Sequence, residues 1–398
     1  MSAPLREAVV DLDAYRANID RVRDWMHPVE VMAIMKADAY GHGIEEIART
    51  AVDAGIRWIG VLTVEAALRL RSIGIGEDVR VFAWQHDAGL DPRDAVDSGI
   101  DLGVSNVDEL ARIVDAVSQR PARVHLGVDT GLHRDGATVD DWPALVRAAI
   151  SAVRAGSIEV VAAYTHLAEA SDDDDTAAVR MFDAAVDAAE DAGLEIRMRH
   201  VAASLAGLER PEFRYDMVRM GANLFGIPGA DDVSAADLGL RPVMTVEASV
   251  AKTKRVPAGT GVSYDYTYRT DAETTLALVP FGYADGLPRL GQGRLEVTIN
   301  GVRYPIIGRV AMDQFLVDVG DDDVRVGDTV VLFGTGAHGE MTVLEWGSAL
   351  DTIGEEIVCR IGGRVPRVFV GARPEDRRRD DRRWDDRRWD DRLGDDRR

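Results

Sequence analysis

Residues 29–43 read Val29-Glu-Val-Met-Ala-Ile-Met35-Lys36-Ala-Asp-Ala-Tyr40-Gly41-His42-Gly43. The apolar run Val29–Met35 predicts a buried strand. Gly41 and Gly43 predict a turn after it, and the amphipathic stretch Ile44–Ala54 a helix. Lys36 therefore stands where an apolar strand ends. It is one of three lysines in the chain, and the others, Lys252 and Lys254, flank a threonine in a polar, strand-like stretch. Lysine is the side chain that condenses with a carbonyl cofactor, and desolvation at a strand end lowers its pKa toward useful values. A lysine without chemical consequence would more often sit among many on a solvated face.

The same unit recurs downstream. Strands are expected at Trp58–Leu62, Val79–Trp84, Leu102–Ser105, Val124–Asp129, Ile158–Thr165, Ile196–Ala202 and Met217–Phe225. Helices are expected between them at Val64–Ser72, Val107–Val117, Trp142–Val153 and Thr176–Ala192. Such alternation indicates parallel βα units, and eight of them in roughly 230 residues fit a (β/α)₈ barrel better than an open doubly wound sheet. No glycine-rich dinucleotide fingerprint follows the first strand.

From about Leu240 the pattern turns to strands: Val243–Ala251, Thr274–Val279, Arg294–Ile299, Tyr304–Val310, Phe315–Val319, Thr329–Phe333 and Val365–Val370. Only Val343–Leu350 reads as plainly helical. The expected architecture is α/β: an N-terminal (β/α)₈ TIM-type barrel over 1–238, then a mostly β domain over 239–372. The first ten or so residues can pair with the β domain. Residues 373–398 repeat Asp-Asp-Arg-Arg-Trp-like blocks with Trp384 and Trp389 five apart, neither a helix nor a strand period, and predict a disordered tail.

Composition narrows the function. A formal net charge of −22 argues against a nucleic-acid partner, because phosphate is repelled. No apolar run is long enough to span a bilayer, and the first residues lack an apolar signal core. Cys359 is the only cysteine, which excludes a disulfide framework and suits a cytoplasmic location.

In such barrels the reacting groups lie at the C-terminal ends of strands. Those ends carry Lys36 and Tyr40, then Asp129 with Arg134, His166, Ser204, and finally Arg219, Gly221 and Ala222. Ser204 and Gly221-Ala222 fall at the last two strands, where barrels commonly bind phosphate through hydroxyl and backbone N–H groups. A carbonyl-binding lysine and a phosphate site in one barrel mouth point to pyridoxal 5′-phosphate (PLP). Metal catalysis is disfavoured: His42, His133 and His166 show no helical ligand pair, and Asp172–Asp175 reads as a solvated loop.

With these segments in view, the sequence resembles the alanine racemases, PLP enzymes of fold type III. The resemblance covers nearly all of 7–371. It rests on Lys36-Ala-Asp-Ala-Tyr-Gly-His-Gly43, Val128-Asp-Thr-Gly-Leu-His-Arg134, Tyr164-Thr-His166, Met217-Val-Arg219-Met-Gly221 and Gly261-Val-Ser-Tyr264. Pro280-Phe-Gly-Tyr283-Ala-Asp-Gly286, Gly308-Arg-Val-Ala-Met312-Asp-Gln314 and Arg364-Val-Pro-Arg367 extend it. The resemblance implies a head-to-tail homodimer with active sites shared between subunits, acting on a small amino acid and supplying D-alanine for peptidoglycan. It implies that Lys36 holds PLP and that Tyr40, Ser204, Gly221 and Ala222 meet its phosphate. Arg219 would face the pyridine nitrogen, a permanently charged partner that keeps this nitrogen unprotonated. Two bases would act on opposite faces: Lys36 toward the D-substrate, Tyr264 of the partner subunit toward the L-substrate, with His166 assisting. Arg134 and Met312 would contact the substrate carboxylate, and Tyr283 would stand beside the entrance.

The sequence departs from that pattern in places. Gly127 stands where many relatives carry a carbamylated lysine, so Arg134 must be held by another anion, such as chloride, or be more mobile. Gly363 replaces a tyrosine usual at the phosphate and entrance, which implies weaker PLP retention and a wider gate. Ala203 replaces a frequent asparagine. These departures keep two alternatives in play: a broad-specificity amino-acid racemase, and a PLP-binding paralogue with little catalysis.

Overall fold

A computed structural model describes residues 5–371 except 87, 88, 90 and 230–232. The expected tail, 373–398, lies outside the described residues. The chain divides into two compact units. One comprises Ala17–Arg241 with Ile353–Cys359, and the other takes the residues up to Arg16, Pro242–Thr352 and those from Arg360 on. The first strand, β1 (Arg6–Asp11), belongs to the second of these.

The larger unit is the parallel barrel. Its strands are β2 (Glu30–Ile34), β3 (Trp58–Thr63), β4 (Arg80–Gln85), β5 (Asp101–Val104), β6 (Ala122–Gly127), β7 (Ile158–Tyr164), β8 (Met198–His200) and β9 (Met217–Met220). From β2 to β8 each pairs in parallel with its sequence neighbour, and β9 returns to pair with β2, while β8 and β9 stand at the two ends of the sheet order. Between β8 and β9 the N–H of Arg219 donates to Ala202 O (3.0 Å) and that of Asp216 to Arg199 O (3.2 Å). Strands covered on both faces are apolar almost throughout, and β5 is buried at every residue.

Three expectations need correction. The strand expected over Met217–Phe225 stops at Met220, and Ala222–Phe225 forms a 3₁₀ turn that carries backbone N–H groups to the barrel mouth. Asp172–Asp175 is no loop but the first turn of a helix, Asp172–Asp191, capped by Ser171 Oγ, which accepts from Asp174 N–H. Four carboxylates there complement the helix dipole, a local rule that outweighs the loop-like look of an acidic run. A second short helix, Gly354–Arg360, follows Val343–Ala349.

The other unit is built on a nine-stranded sheet. Beyond β1 its strands are β10 (Met244–Ser249), β11 (Lys252–Val256), β12 (Gly261–Val262), β13 (Tyr268–Arg269), β14 (Thr274–Val279), β15 (Glu296–Ile299), β16 (Val302–Ile307), β17 (Phe315–Gly320), β18 (Thr329–Phe333) and β19 (Arg367–Val370). The sheet order is β11-β14-β17-β16-β15-β18-β10-β1-β19, with β12-β13 as a separate hairpin. β1 lies antiparallel to β10 and parallel to β19, with Ala8 opposite both Val246 and Arg367.

Candidate active site

The turn after β2 is left-handed. Ala37, Asp38, Ala39 and Tyr40 all carry positive φ, between 52° and 56°, a geometry that costs L-residues about 1–2 kcal/mol each. Local bonds hold it: Ala39 N–H donates to Met35 O (3.1 Å), Gly41 N–H to Ala37 O (2.8 Å) and Ile44 N–H to Asp38 Oδ1 (3.1 Å). Gly41 must be glycine, since its φ is +77° and a Cβ would fall 2.6 Å from Val358 O. The turn sets Lys36 and Tyr40 on one cavity, with Lys36 Nζ 5.9 Å from the Tyr40 ring centroid.

That cavity, about 300 Å³, is lined by Lys36, Tyr40, Arg134, His166, Ser204, Arg219, Gly221 and Ala222, eight of the nine strand-end residues named from the sequence; Asp129 does not line it. Burial and the Arg134 charge lower the Lys36 pKa, against the opposing pull of Cys359 and Glu355. Burial, then the charges of Arg219, Arg134 and Lys36, push His166 down to about 3, so its imidazole is neutral at working pH. Burial and Glu355 raise the Tyr40 hydroxyl, which stays protonated.

Arg219 anchors a buried chain of hydrogen bonds. Its Nη1 donates to His200 O (2.7 Å) and His200 Nδ1 (3.0 Å); its Nη2 donates to Thr165 O (2.8 Å), Val201 O (2.8 Å) and His166 Nδ1 (2.9 Å). Beyond it, His200 Nε2 meets His125 Nδ1 (2.9 Å), and His125 Nε2 meets Asp101 Oδ2 (3.2 Å). A guanidinium only donates and a carboxylate only accepts, so the ends dictate the middle. His200 and His125 each carry their proton on Nε2, and so does His166. Burial works to raise Asp101, but the His125 hydrogen bond and the Arg80 and Arg123 charges bring it below the usual carboxylate range. Five acceptors consume the terminal nitrogens of Arg219. Its Nε–H is left as the guanidinium donor without a protein acceptor among the described residues, on a side chain that lines the cavity.

Ser204, Gly221 and Tyr40 lie on the same cavity. Gly221 N–H donates to Ser204 Oγ (3.2 Å), and a Cβ on Gly221 would stand 2.2 Å from the Tyr40 hydroxyl oxygen. Only glycine lets that hydroxyl approach the backbone of the turn. Ala203 offers no side-chain cap to the helix Ser204–Glu209. Arg134 is positioned by a loop folded on Asp129, which accepts from the N–H groups of Gly131 (3.1 Å) and His133 (3.0 Å). The carboxylate facing Arg134 is its neighbour Asp135, 3.4 Å from Nε. A Cβ at Gly127 would meet Gly136 Cα and the Tyr164 ring at 3.1 Å, so the Tyr164 side chain fills that space.

Tyr264, Tyr283 and Met312 belong to the β unit, where all three are exposed, by 68%, 44% and 54%. One segment gathers them. Tyr283 N–H donates to Ala311 O (3.2 Å) and Ala284 N–H to Met312 O (2.9 Å), an approach that a Cβ on Gly282 would block. Asp285, buried, accepts from Gly282 N–H (2.9 Å) and pairs with Arg6 (3.2 Å) and Arg364 (3.3 Å). Sequence reading missed Asp101, His125 and His200. The one available signal was an ionisable residue within a barrel strand.

A barrel whose mouth joins a lysine of lowered pKa, a serine and tyrosine beside backbone N–H groups, and two arginines has the form of an enzyme site. Residues 10–228 match the alanine racemase N-terminal domain and 243–369 the alanine racemase C-terminal domain. An alanine racemase of Thermobifida fusca is 46% identical over 374 residues, 92% of this chain and 98% of the relative. One from Salinispora arenicola is 46% identical, covering 92% and 99%. The crystal structure of alanine racemase from D-cycloserine-producing Streptomyces lavendulae superposes with a TM-score of 0.91 at 41% identity, covering 94% of this chain and 99% of that one. The chain belongs to the alanine racemase family, and with it to the isomerases acting on amino acids.

Proposed function

We propose that the protein interconverts L-alanine and D-alanine with PLP, through two bases drawn from two copies of the chain. The observation that carries this reading is Arg219: its terminal nitrogens are spent on protein acceptors, and the residue lines the same cavity as Lys36. The residues fit the cofactor. Lys36 would hold its carbonyl carbon; Tyr40, Ser204 Oγ, the backbone of Gly221 and Ala222 would hold its phosphate; Arg219 Nε–H would donate to its ring nitrogen. When bound, PLP supplies a conjugated electron-withdrawing system that acidifies the amino acid's α C–H.

Lys36, its pKa lowered by burial and Arg134, is poised to take the α proton from one face and return it. Tyr264 of the partner subunit would serve the opposite face. An ordinary tyrosine has a pKa near ~10, and His166, neutral with its proton on Nε2, is suited to donate to the phenolate. Arg134 would bind the substrate carboxylate, with Asp135 holding its guanidinium, and Met312 of the partner subunit would contact the same carboxylate. Arg219 would set a permanent positive charge beside the ring nitrogen and so would keep that nitrogen unprotonated, which would favour return of the proton over transamination.

We place the enzyme in the cytoplasm, supplying D-alanine for peptidoglycan; no helix among the described residues is long and apolar enough to cross a membrane. A broader racemase is the second reading, favoured by Gly363, where a Cβ would meet no atom within 4 Å. The test is α-proton exchange in D₂O followed by proton NMR with L-alanine, L-serine and larger amino acids. Exchange with inversion for alanine alone supports the first reading, and inversion across larger substrates the second. Bound PLP without exchange overturns both.

A further inference from the structure

The segment that bears Tyr264 is held in a backbone that its residues would not choose. Ser263 sits at φ 59°, ψ −163°, a region otherwise left to glycine. Asp265 at φ 61° and Tyr266 at φ 47° are left-handed as well. Three of the four residues 263–266, flanking the exposed Tyr264, are therefore over-determined by something outside the turn. That something is Arg309. Ser263 Oγ–H donates to the Arg309 carbonyl (2.6 Å), and Arg309 Nε–H donates to Asp265 Oδ2 (2.5 Å). The approach requires Gly308, whose Cβ would lie 2.8 Å from Val262 O and 3.0 Å from Ser263 Cβ. On the other side, Gly261 leaves room for the Tyr266 ring, which also lies under the Arg269 guanidinium at 5.3 Å.

We propose that Arg309 and Asp265 are positioning residues that staple the Tyr264 turn in its left-handed conformation, and that Tyr264 serves as a base only while the staple is closed. This rests on the reading of Tyr264 as one of the two bases. Arg309 lies three residues before Met312, so one segment sets both residues that the β unit contributes to the reaction. The ion pair is partly exposed, with side-chain accessibilities of 33% and 65%. Its role is thus geometric, since exposed pairs contribute little to global stability.

The test is a substitution series at one position. Asp265→Gly keeps the positive φ without the ion pair; Asp265→Asn keeps both left-handed tolerance and an acceptor for Arg309; Asp265→Ala loses both. In the holoenzyme, kcat/KM should fall in the order wild type, Asn, Gly, Ala, with Ala down about ten-fold, the scale expected when a reacting group is slightly misplaced. The primary isotope effect with L-[α-²H]alanine should rise and that with D-[α-²H]alanine should fall in Gly and Ala. General loosening would not redistribute the effect between the two directions. In cofactor-free protein, hydrogen exchange over residues 262–268 should quicken in the Ala variant and nowhere else. Wild-type isotope effects and exchange in Ala, or a Gly variant equal to wild type, would overturn the staple. If Tyr264→Phe leaves α-proton exchange of L-alanine intact, the two-base reading fails, while backbone exchange over 262–268 still decides whether the turn is stapled.

Discussion

Arg219 and Gly221, two residues apart, show how much a single side chain, or its absence, decides here. The arginine is fully partnered on its terminal nitrogens, and the glycine is the only residue that leaves room for the Tyr40 hydroxyl. Gly221→Ala should therefore displace Tyr40 and weaken PLP binding by about ten-fold or more, since loss of a hydrogen bond to a charged group is worth about 1.5–3 kcal/mol; titration of cofactor-free protein with PLP checks it. His166 makes a pH-dependent statement. Its folded pKa of about 3 lies below the unfolded value of 6.5, so the unfolded chain binds the extra proton and stability falls as pH drops through that window. At pH 5 this one residue should cost about 2 kcal/mol. Urea unfolding of the cofactor-free His166→Gln variant should show a shallower loss of stability between pH 7 and 5. Lys36 was legible because it stands alone at a strand end. His125 and His200 were not, because a histidine in an apolar strand has the same local signature whether it is linked or merely packed.

At the scale of elements, local rules explain most of what periodicity missed. The Lys36–Tyr40 turn is left-handed although its sequence has no glycine before Gly41; local bonds from Ala39 to Met35, Gly41 to Ala37 and Ile44 to Asp38 hold it, and the close approach of Val358 O to Gly41 fits only glycine there. β11 is one of the sheet's two edge strands, and Lys252 and Lys254 are exposed on it, a placement that discourages edge-to-edge pairing. β1 and β10 set Glu7 directly opposite Glu247. Burial and the Glu7 carboxylate raise Glu247 to about 7, above the usual 4.5. A raised acid loses stability as pH climbs from the unfolded to the folded value. Glu247→Gln should thus stabilise the protein by about 1–3 kcal/mol at pH 8 and scarcely at pH 4, by thermal melts.

At the scale of the whole molecule, Tyr264, Tyr283 and Met312 stand exposed on the β unit, while Lys36, Arg134 and Arg219 line a cavity of the barrel unit. If sites are shared across a dimer, Lys36→Ala and Tyr264→Phe variants, each nearly inactive, should complement when unfolded and refolded together. Random pairing then restores about one quarter of wild-type activity, because half the dimers are mixed and each holds one intact site. No recovery, with mixed dimers verified by mass, would exclude shared sites. The barrel was legible because βα units repeat with one hydrophobic period. In the β unit the strands, and a place for the first residues beside them, were legible, but the strand order was not, because pairing such as β10 with β18 joins residues far apart in the chain.

By itself the sequence determined the strand–helix rhythm, the two-part organisation, and the residues at strand ends whose chemistry is carried by side-chain type. Those are local properties, written in hydrophobic period and in the rarity of lysine. Only the tertiary structure decided the left-handed turn at Lys36, the tautomers along Arg219, His200, His125 and Asp101, and the backbone around Tyr264. The tautomers and the Tyr264 backbone depend on partners that meet only after the chain closes; the Lys36 turn is bonded locally, yet its Gly41 packs on Val358, more than three hundred residues away.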